Sequence, residues 1–413
     1  MTEDLARPRL IFATRRPPFP LDNGARIRSY RLLTGLAESF SVTLVTFEHH
    51  EKSPDGLTTR ADLESILPGV EVVAVPGVGP SKRRRQARSL LARSSWAWGQ
   101  YASAALRATL KQLVAERKAA IIHFDDLGVA LCGPLPGPRN VYSAHNVEHR
   151  VARQVARTGS PVRTLFGAAD WRKIRAEEER VWRSMDLCLA VSDVDAEVMR
   201  AGGAHNVAVC PNGVDPVAPL PPPQRHPGEP LRLVFVGSGS YRPYERGIAW
   251  LVSEVLPRVK ARLPVALDVV GRPPQRPVAA EGVRYVGVVP AVEPWYEASH
   301  VAVVPVFEGS GTRLKVVEAL AYGRPVVSTR MGAEGLPLEP GRHFLQADDA
   351  VTFTDALLRV ADQTETAGAG LEAMLATGRA AVAELVWPRI VENLVDRYRA
   401  EAARLTGGLP APD

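Results

Sequence analysis

The sequence has 413 residues, enough for two or three domains, and its 46% hydrophobic and 23% charged composition is that of a globular α/β chain with a sizeable core. No run of eighteen uncharged apolar residues occurs, and acids precede a short apolar run at the N-terminus, so neither a membrane span nor a secretory signal is expected and the chain reads as cytoplasmic. A net charge of +6 suits phosphorylated or anionic ligands, but zinc-ligand spacing, an RNA-recognition signature and a helix-turn-helix pattern are missing, so nucleic acid is not an expected partner; Cys132, Cys188 and Cys210 lack motif spacing and read as reduced, buried thiols.

Residues 9–14 form a first predicted buried strand. Pro17, Pro18 and Pro20 then hold an extended loop, Asp22, Asn23 and Gly24 turn it, and a helix is expected from about Ala25. A strand, a glycine-bearing loop and a helix in that order place a ligand at the strand's carboxyl end, where Arg26 and Arg28 add positive charge. A turn followed by a solvated helix face is the other reading. Residues 42–47 and 70–75 continue the pattern, giving βαβ spacing and a parallel sheet.

Residues 81–118 read as one or two helices whose Leu90, Leu91, Trp96, Trp98, Tyr101, Leu106, Leu110 and Leu113 make an apolar stripe among arginines. The preferred reading is a core helix with a solvated basic face; the alternative is a helix lying on an anionic membrane surface. Residues 119–126 form a strand ending in His123, Asp125 and Asp126, with His123 expected on the opposite side of the strand from Asp125. The strand from Val141 ends at His145, Asn146 and Glu148, with Asn146 as a plain helix cap the alternative. A charged helix over 165–184 and a strand over 185–192 lead to Asp193 and Asp195, where a Ser192 cap with acids in the first turn accounts for the spacing without a metal.

Residues 219–230 are proline-rich and polar, an expected extended linker. Residues 231–236 open a second α/β unit, with Gly237 and Gly239 before Tyr241 and Arg242, and strands follow at 265–270, 283–286 and 301–306. The last of these runs into Gly309 and Gly311, a helix from about Thr312, and a strand at 326–329. The two glycines let backbone approach a phosphate, and Arg313 and Lys315 in the helix's first turn, where cations oppose its dipole, are explained by a bound anion. Glu318 shares the packed face of Leu314, within reach of a ribose hydroxyl; a surface helix with a Lys315/Glu318 pair is the bland alternative.

The run Gly309, Ser310, Gly311, Thr312, Arg313, Leu314, Lys315, Glu318, Ala319, Ala321, Gly323 and 325–329 resembles the donor-site signature of the retaining nucleotide-sugar glycosyltransferases of GT-B fold, family 4-like, in their bacterial branch. Segments 17–28, 145–148 and 211–215 are similar to the same family, so the resemblance covers nearly the whole chain. It implies two Rossmann-like domains facing across a cleft, residues 1–220 with a terminal helix 389–413 crossing back, and residues 230–388. It further implies transfer of a sugar from a nucleoside-diphosphate-sugar (UDP or GDP) to an acceptor hydroxyl with retention, without a metal or other cofactor, in glycan or related synthesis. The acceptor is lipid-linked or a small metabolite, and a lipid-linked one would bring helix 81–118 to the cytoplasmic membrane face.

By the same resemblance Arg313 and Lys315 stabilise charge on the leaving diphosphate, Asp125 holds the transferred sugar, and domain closure excludes water. Gly24, Arg242, Gly309, Ser310, Gly311, Thr312, Leu314 and Glu318 contact the donor, while Asn23, Arg26, His123, His145, Asn146 and Glu148 line the acceptor side. Two positions depart from the pattern: Ser310 stands where the family has a sugar-contacting glutamate, with Glu308 two residues earlier, and Tyr244 replaces the usual asparagine. The rivals are a nucleotide-sugar epimerase or hydrolase of the same fold, and a non-catalytic scaffold.

Overall fold

The computed structural model of the protein describes residues 7–21, 23–48, 60–76, 92, 94–157, 161–239, 241–309 and 314–405. The chain forms two compact units, Met1–Pro211 with Trp387–Asp413, and Asn212–Val386.

In the first unit seven strands, β1 (Arg9–Thr14), β2 (Ser41–Phe47), β3 (Glu71–Val75), β4 (Ile121–Phe124), β5 (Arg139–Ser143), β6 (Leu187–Ala190) and β7 (Val207–Val209), make one parallel sheet in the order β3-β2-β1-β4-β5-β6-β7. Helices cover both faces, so successive strand residues are buried on both sides rather than alternating with exposed ones. Leu10 and Phe12 face a cluster with Leu32, Leu33 and Leu36 of helix Gly24–Ser39; Ile11 and Ala13 face Leu106, Leu110 and Leu113 of helix Ala104–Arg117. The helix Trp387–Leu405 returns to this unit, burying Trp387, Ile390, Leu394 and Tyr398 in the first of those clusters. Its approach to helix Gly24–Ser39 depends on Gly35, since a Cβ there would overlap the Val391 side chain.

The second unit repeats the scheme with β8 (Leu231–Val236), β9 (Val265–Val270), β10 (Val283–Gly287), β11 (Val301–Val304), β12 (Val326–Ser328) and β13 (Leu345–Gln346), parallel in the order β10-β9-β8-β11-β12-β13. Strand β11 ends earlier than its apolar run, because Pro305 has no N–H to continue the ladder. The change of unit falls at Pro211 and Asn212 rather than in the proline-rich run at 219–230. That run is bound along the second unit: Leu220 N–H donates to Tyr322 O (3.1 Å), Arg324 Nη1 to Pro221 O (2.7 Å), and Arg225 N–H to Thr364 O (3.0 Å). Proline fixes the run as extended, and its carbonyls remain available as acceptors, so it reads as a strap rather than a linker.

Of the apolar stripe expected over 81–118, Trp98, Leu106, Leu110 and Leu113 lie in the core; residues 77–91 and 93 fall outside the described residues. Among the described residues no helix is long and apolar enough to cross a membrane. The three cysteines are buried and unpaired, and burial pushes the Cys132 thiol up to about 11 and that of Cys188 up to about 12, which suppresses thiolate chemistry.

Candidate functional site

In a doubly wound sheet the strand order reverses direction at one point, and the loops leaving the carboxyl ends of the two strands there diverge to opposite faces, opening a crevice. In the first unit this point lies between β1 and β4, in the second between β8 and β11. The sequence-predicted residues gather at these two places, each described within its own unit.

At the first, β4 delivers Asp125, whose N–H continues the ladder to Ala13 O (2.9 Å). Its carboxylate is 1% exposed and surrounded by donors: Ser29 Oγ and His145 Nε2 (3.4 Å) at Oδ2, and His123 Nε2 (3.3 Å) at Oδ1. Burial opposes charge on Asp125, yet His145 and His123 outweigh it and hold the carboxyl well below the usual carboxylate range. An ionised carboxylate only accepts, so His123 carries its proton on Nε2 and its Nδ1 accepts from the Tyr398 hydroxyl at 2.5 Å. Burial lowers the pKa of His123, against the pull of Asp125, and the ring stacks on Phe12 at 4.2 Å between centroids. His145 behaves oppositely: burial works against its charge, but the Asp125 carboxylate wins and its pKa is raised. The buried anion thus favours the charged form of the ring, and the His145 side chain is 14% exposed.

Beside it, Arg15 follows directly on β1. Its guanidinium lies over the Trp98 ring at 4.5 Å and the Tyr101 ring at 5.2 Å, and its Nε donates to Asp126 Oδ2 at 3.2 Å. Asp126 uses its other oxygen to cap the next turn through Val129 N–H (3.1 Å). Glu148 opens helix Glu148–Arg157, and the buried Glu178 caps that helix from outside, accepting from Glu148 N–H (2.7 Å) and His149 N–H (2.8 Å) and meeting His149 Nδ1 (2.7 Å). Burial and the neighbouring Glu178 push the Glu148 carboxyl up to about 7, although Arg15 pulls it down. Asn146 Nδ2 reaches Glu148 Oε1 at 3.5 Å.

In the second unit helix Leu314–Ala321 follows β11. Lys315 and Glu318 do not form the surface pair of the bland reading. Lys315 Nζ stands 3.6 Å from the centroid of the Tyr244 ring and 5.4 Å from that of Phe235, while the Tyr296 hydroxyl donates to Glu318 Oε2 at 2.9 Å. Burial raises the Glu318 pKa against that hydrogen bond. Arg324, itself buried, holds Tyr296 by donating from Nε to its carbonyl at 2.7 Å. Gly237, just past β8, lies against Lys315: a Cβ there would stand 2.7 Å from Nζ. Arg242 opens helix Arg242–Trp250, and Gly309 has φ +120°, a region that favours glycine.

Several sequence expectations change. His123 is not on the far side of the strand from Asp125; positions two apart share a face, and the imidazole is wholly buried behind the carboxylate instead of lining a surface. Asp125 likewise stands behind His145, engaged by Ser29, His145 and His123. Asn23 caps helix Gly24–Ser39, its Oδ1 accepting from Arg26 N–H at 3.1 Å, while a Cβ at Gly24 would meet nothing within 4 Å, so packing does not require glycine there. Glu308 is held by Arg246 Nη1 at 3.1 Å. Ser192 accepts from Asp195 N–H at 3.2 Å as a helix cap, with Asp193 and Asp195 in the first turn. Ser310, Gly311, Thr312 and Arg313 lie outside the described residues. Sequence reasoning missed Arg15, Ser29, Glu178 and Tyr398. Only Arg15, directly after an apolar strand, carried a local signal.

The Glycosyltransferase Family 4 domain family matches residues 22–217, and Glycosyl transferases group 1 matches residues 230–363. No curated protein matches the chain. Among solved structures, sucrose-phosphate synthase from Thermosynechococcus elongatus is 19% identical with a TM-score of 0.69, over 96% of this chain and 100% of that one. The Anabaena protein HepE in complex with UDP-glucose is 14% identical with a TM-score of 0.61, over 95% and 99%. WaaG, a glycosyltransferase involved in lipopolysaccharide biosynthesis, is 16% identical with a TM-score of 0.61, over 94% and 99%. Two parallel sheets in this arrangement are the GT-B fold of these neighbours.

Proposed function

Because this chain belongs to the GT-B glycosyltransferases, we propose that it moves a sugar from a nucleoside-diphosphate-sugar to an acceptor hydroxyl with retention at the anomeric carbon. The barrier to such a transfer is departure of the diphosphate as positive charge builds at that carbon, and fixed cations at the leaving phosphate lower it most. Lys315 is the observation that carries the reading. Its ammonium is held on aromatic faces, while Glu318 is engaged by the Tyr296 hydroxyl, at the carboxyl end of β8 and β11 where a doubly wound sheet takes its ligand. Arg313 and the start of helix Leu314–Ala321 are assigned the same anion, and Gly309 and Gly311 its backbone contacts. These groups supply the positive charge in place of a metal.

In the first unit we assign the reacting sugar to His145, with Asp125 favouring its charged form. Gly24, open on its side-chain face, offers its backbone to the phosphates. Glu148 and Arg15 form the acceptor side. HepE was captured with UDP and UDP-glucose, which makes uridine compounds the first donors to try. A hydroxyl on a lipid-linked glycan or small metabolite is the acceptor class, and a lipid-linked one would bring the chain to the membrane surface.

The test is incubation with a panel of nucleotide sugars and acceptors followed by mass spectrometry of the products, with the anomeric configuration read by NMR. Donor consumption without acceptor would assign a hydrolase or epimerase instead. Failure to bind UDP or GDP by calorimetry would assign a scaffold, the reading that Ser310 and the Arg246-bound Glu308 favour.

A further inference from the structure

Lys315 has a second feature that follows from no family pattern. A lysine at a phosphate site has four rotatable carbons, and the entropy of holding its ammonium at one point opposes binding. Here the end of the chain is already held. Tyr244 presents its ring face 3.6 Å from Nζ, Phe235 flanks it at 5.4 Å, and Gly237 leaves the passage open, where any side chain would meet the ammonium at 2.7 Å. Tyr244 is itself braced edge-on by Phe235 (5.7 Å) and Tyr241 (4.9 Å). A ring face attracts a cation without neutralising it, so the ammonium is placed yet keeps its full charge for an anion. A carboxylate at the same spot would place it equally well and cancel its charge.

We infer that Tyr244 is a positioning residue for Lys315, its ring and the open side of Gly237 together fixing where the ammonium meets the donor's diphosphate. This rests on the assignment of Lys315 to the anion site, and the two are separable by experiment. UDP binding is measured by calorimetry for wild type, Tyr244→Leu, Lys315→Ala and the double variant. The expected result is about three- to tenfold weaker binding for Tyr244→Leu, the range of a partly desolvated cation–ring contact, and no further loss when Lys315 is already alanine. Tyr244→Phe, which keeps the ring, recovers most of the affinity.

Gly237→Ala is a second probe: its Cβ would meet the ammonium at 2.7 Å, and because φ +154° strains any side chain there in either background, the readout is the extra loss of UDP binding in the lysine background over that in the alanine one. Thermal unfolding of each variant checks that the fold is kept, and if Tyr244→Leu does not fold the Gly237→Ala pair decides alone. Equal losses in both backgrounds, or no loss with lysine present, overturn the positioning role. An unchanged affinity in Lys315→Ala overturns the anion site itself.

Discussion

Asp125→Asn is the most informative single change in the first unit. It keeps the shape of the side chain and one acceptor oxygen while removing the charge that balances His145 and orients His123. Breaking a buried ion pair by removing one partner costs roughly 3–5 kcal/mol. Because the amide retains one acceptor and the His145 side chain is 14% exposed, the cost falls to the foot of that range or just below it, about 2–3 kcal/mol. For a unit of this size that is a fall of roughly 5–10 °C in Tm.

The loss is also pH-dependent, with a definite sign. The Asp125 pKa is depressed in the fold, so its contribution is present above the ordinary carboxylate range and is lost as pH falls through the folded value. The His145 pKa is raised, so its contribution is complete below about 6.5 and is lost as pH rises through the folded value. The gap between wild type and Asp125→Asn is therefore widest between about pH 4.5 and 6.5 and narrows on the alkaline side as His145 loses its proton. Thermal unfolding of both proteins from pH 5 to 9 measures it. Parallel curves with a constant offset would refute the pairing, since they would mean that His145 does not titrate against Asp125.

Three further outcomes are expected. Lys315→Ala reduces turnover by orders of magnitude with an unchanged circular dichroism spectrum, because the charge on the leaving diphosphate then has one cation fewer; wild-type-like turnover would show the anion site to be elsewhere. Tyr398→Phe leaves the buried His123 Nδ1 without its donor and lowers stability by about 1–3 kcal/mol, read from denaturant unfolding, whereas a neutral effect would mean that the bond to Tyr398 contributes nothing. Glu148→Gln works in the opposite direction. With the Glu148 carboxyl at about 7, wild type loses stability as pH rises from the ordinary glutamate value toward 7, so the variant should be the more stable protein at pH 8 by ~2 kcal/mol and no better at pH 5. Identical pH profiles would put Glu148 at an ordinary value.

Most strands of both parallel sheets were legible along the chain, because a strand covered on both faces is mostly apolar and stands out as a run, whereas the two-residue β13 is too short to make one. The helix cap at Ser192 was legible from local chemistry, since the donor and acceptor lie three residues apart, whereas Asn23, read as part of a turn, also proved to be a cap. Lys315 stood out because its charge opposes the helix dipole at the first turn and so asks for an anion. What surrounds these residues was not legible. Tyr398 meets His123 across 275 positions, Glu178 caps a helix that begins thirty residues before it, and Tyr244 and Lys315 come from the helices that follow two different strands at one switch point.

The amino-acid sequence alone thus determined which segments are buried and which strand ends carry charge, because hydrophobic period and turn chemistry act over a few residues. Only the tertiary structure decided which way those charges are biased. That the charged form is favoured at His145 and disfavoured at His123 depends on which carboxylate, hydroxyl and apolar wall arrive from distant elements, and electrostatic energy is set by distance in space, not along the chain.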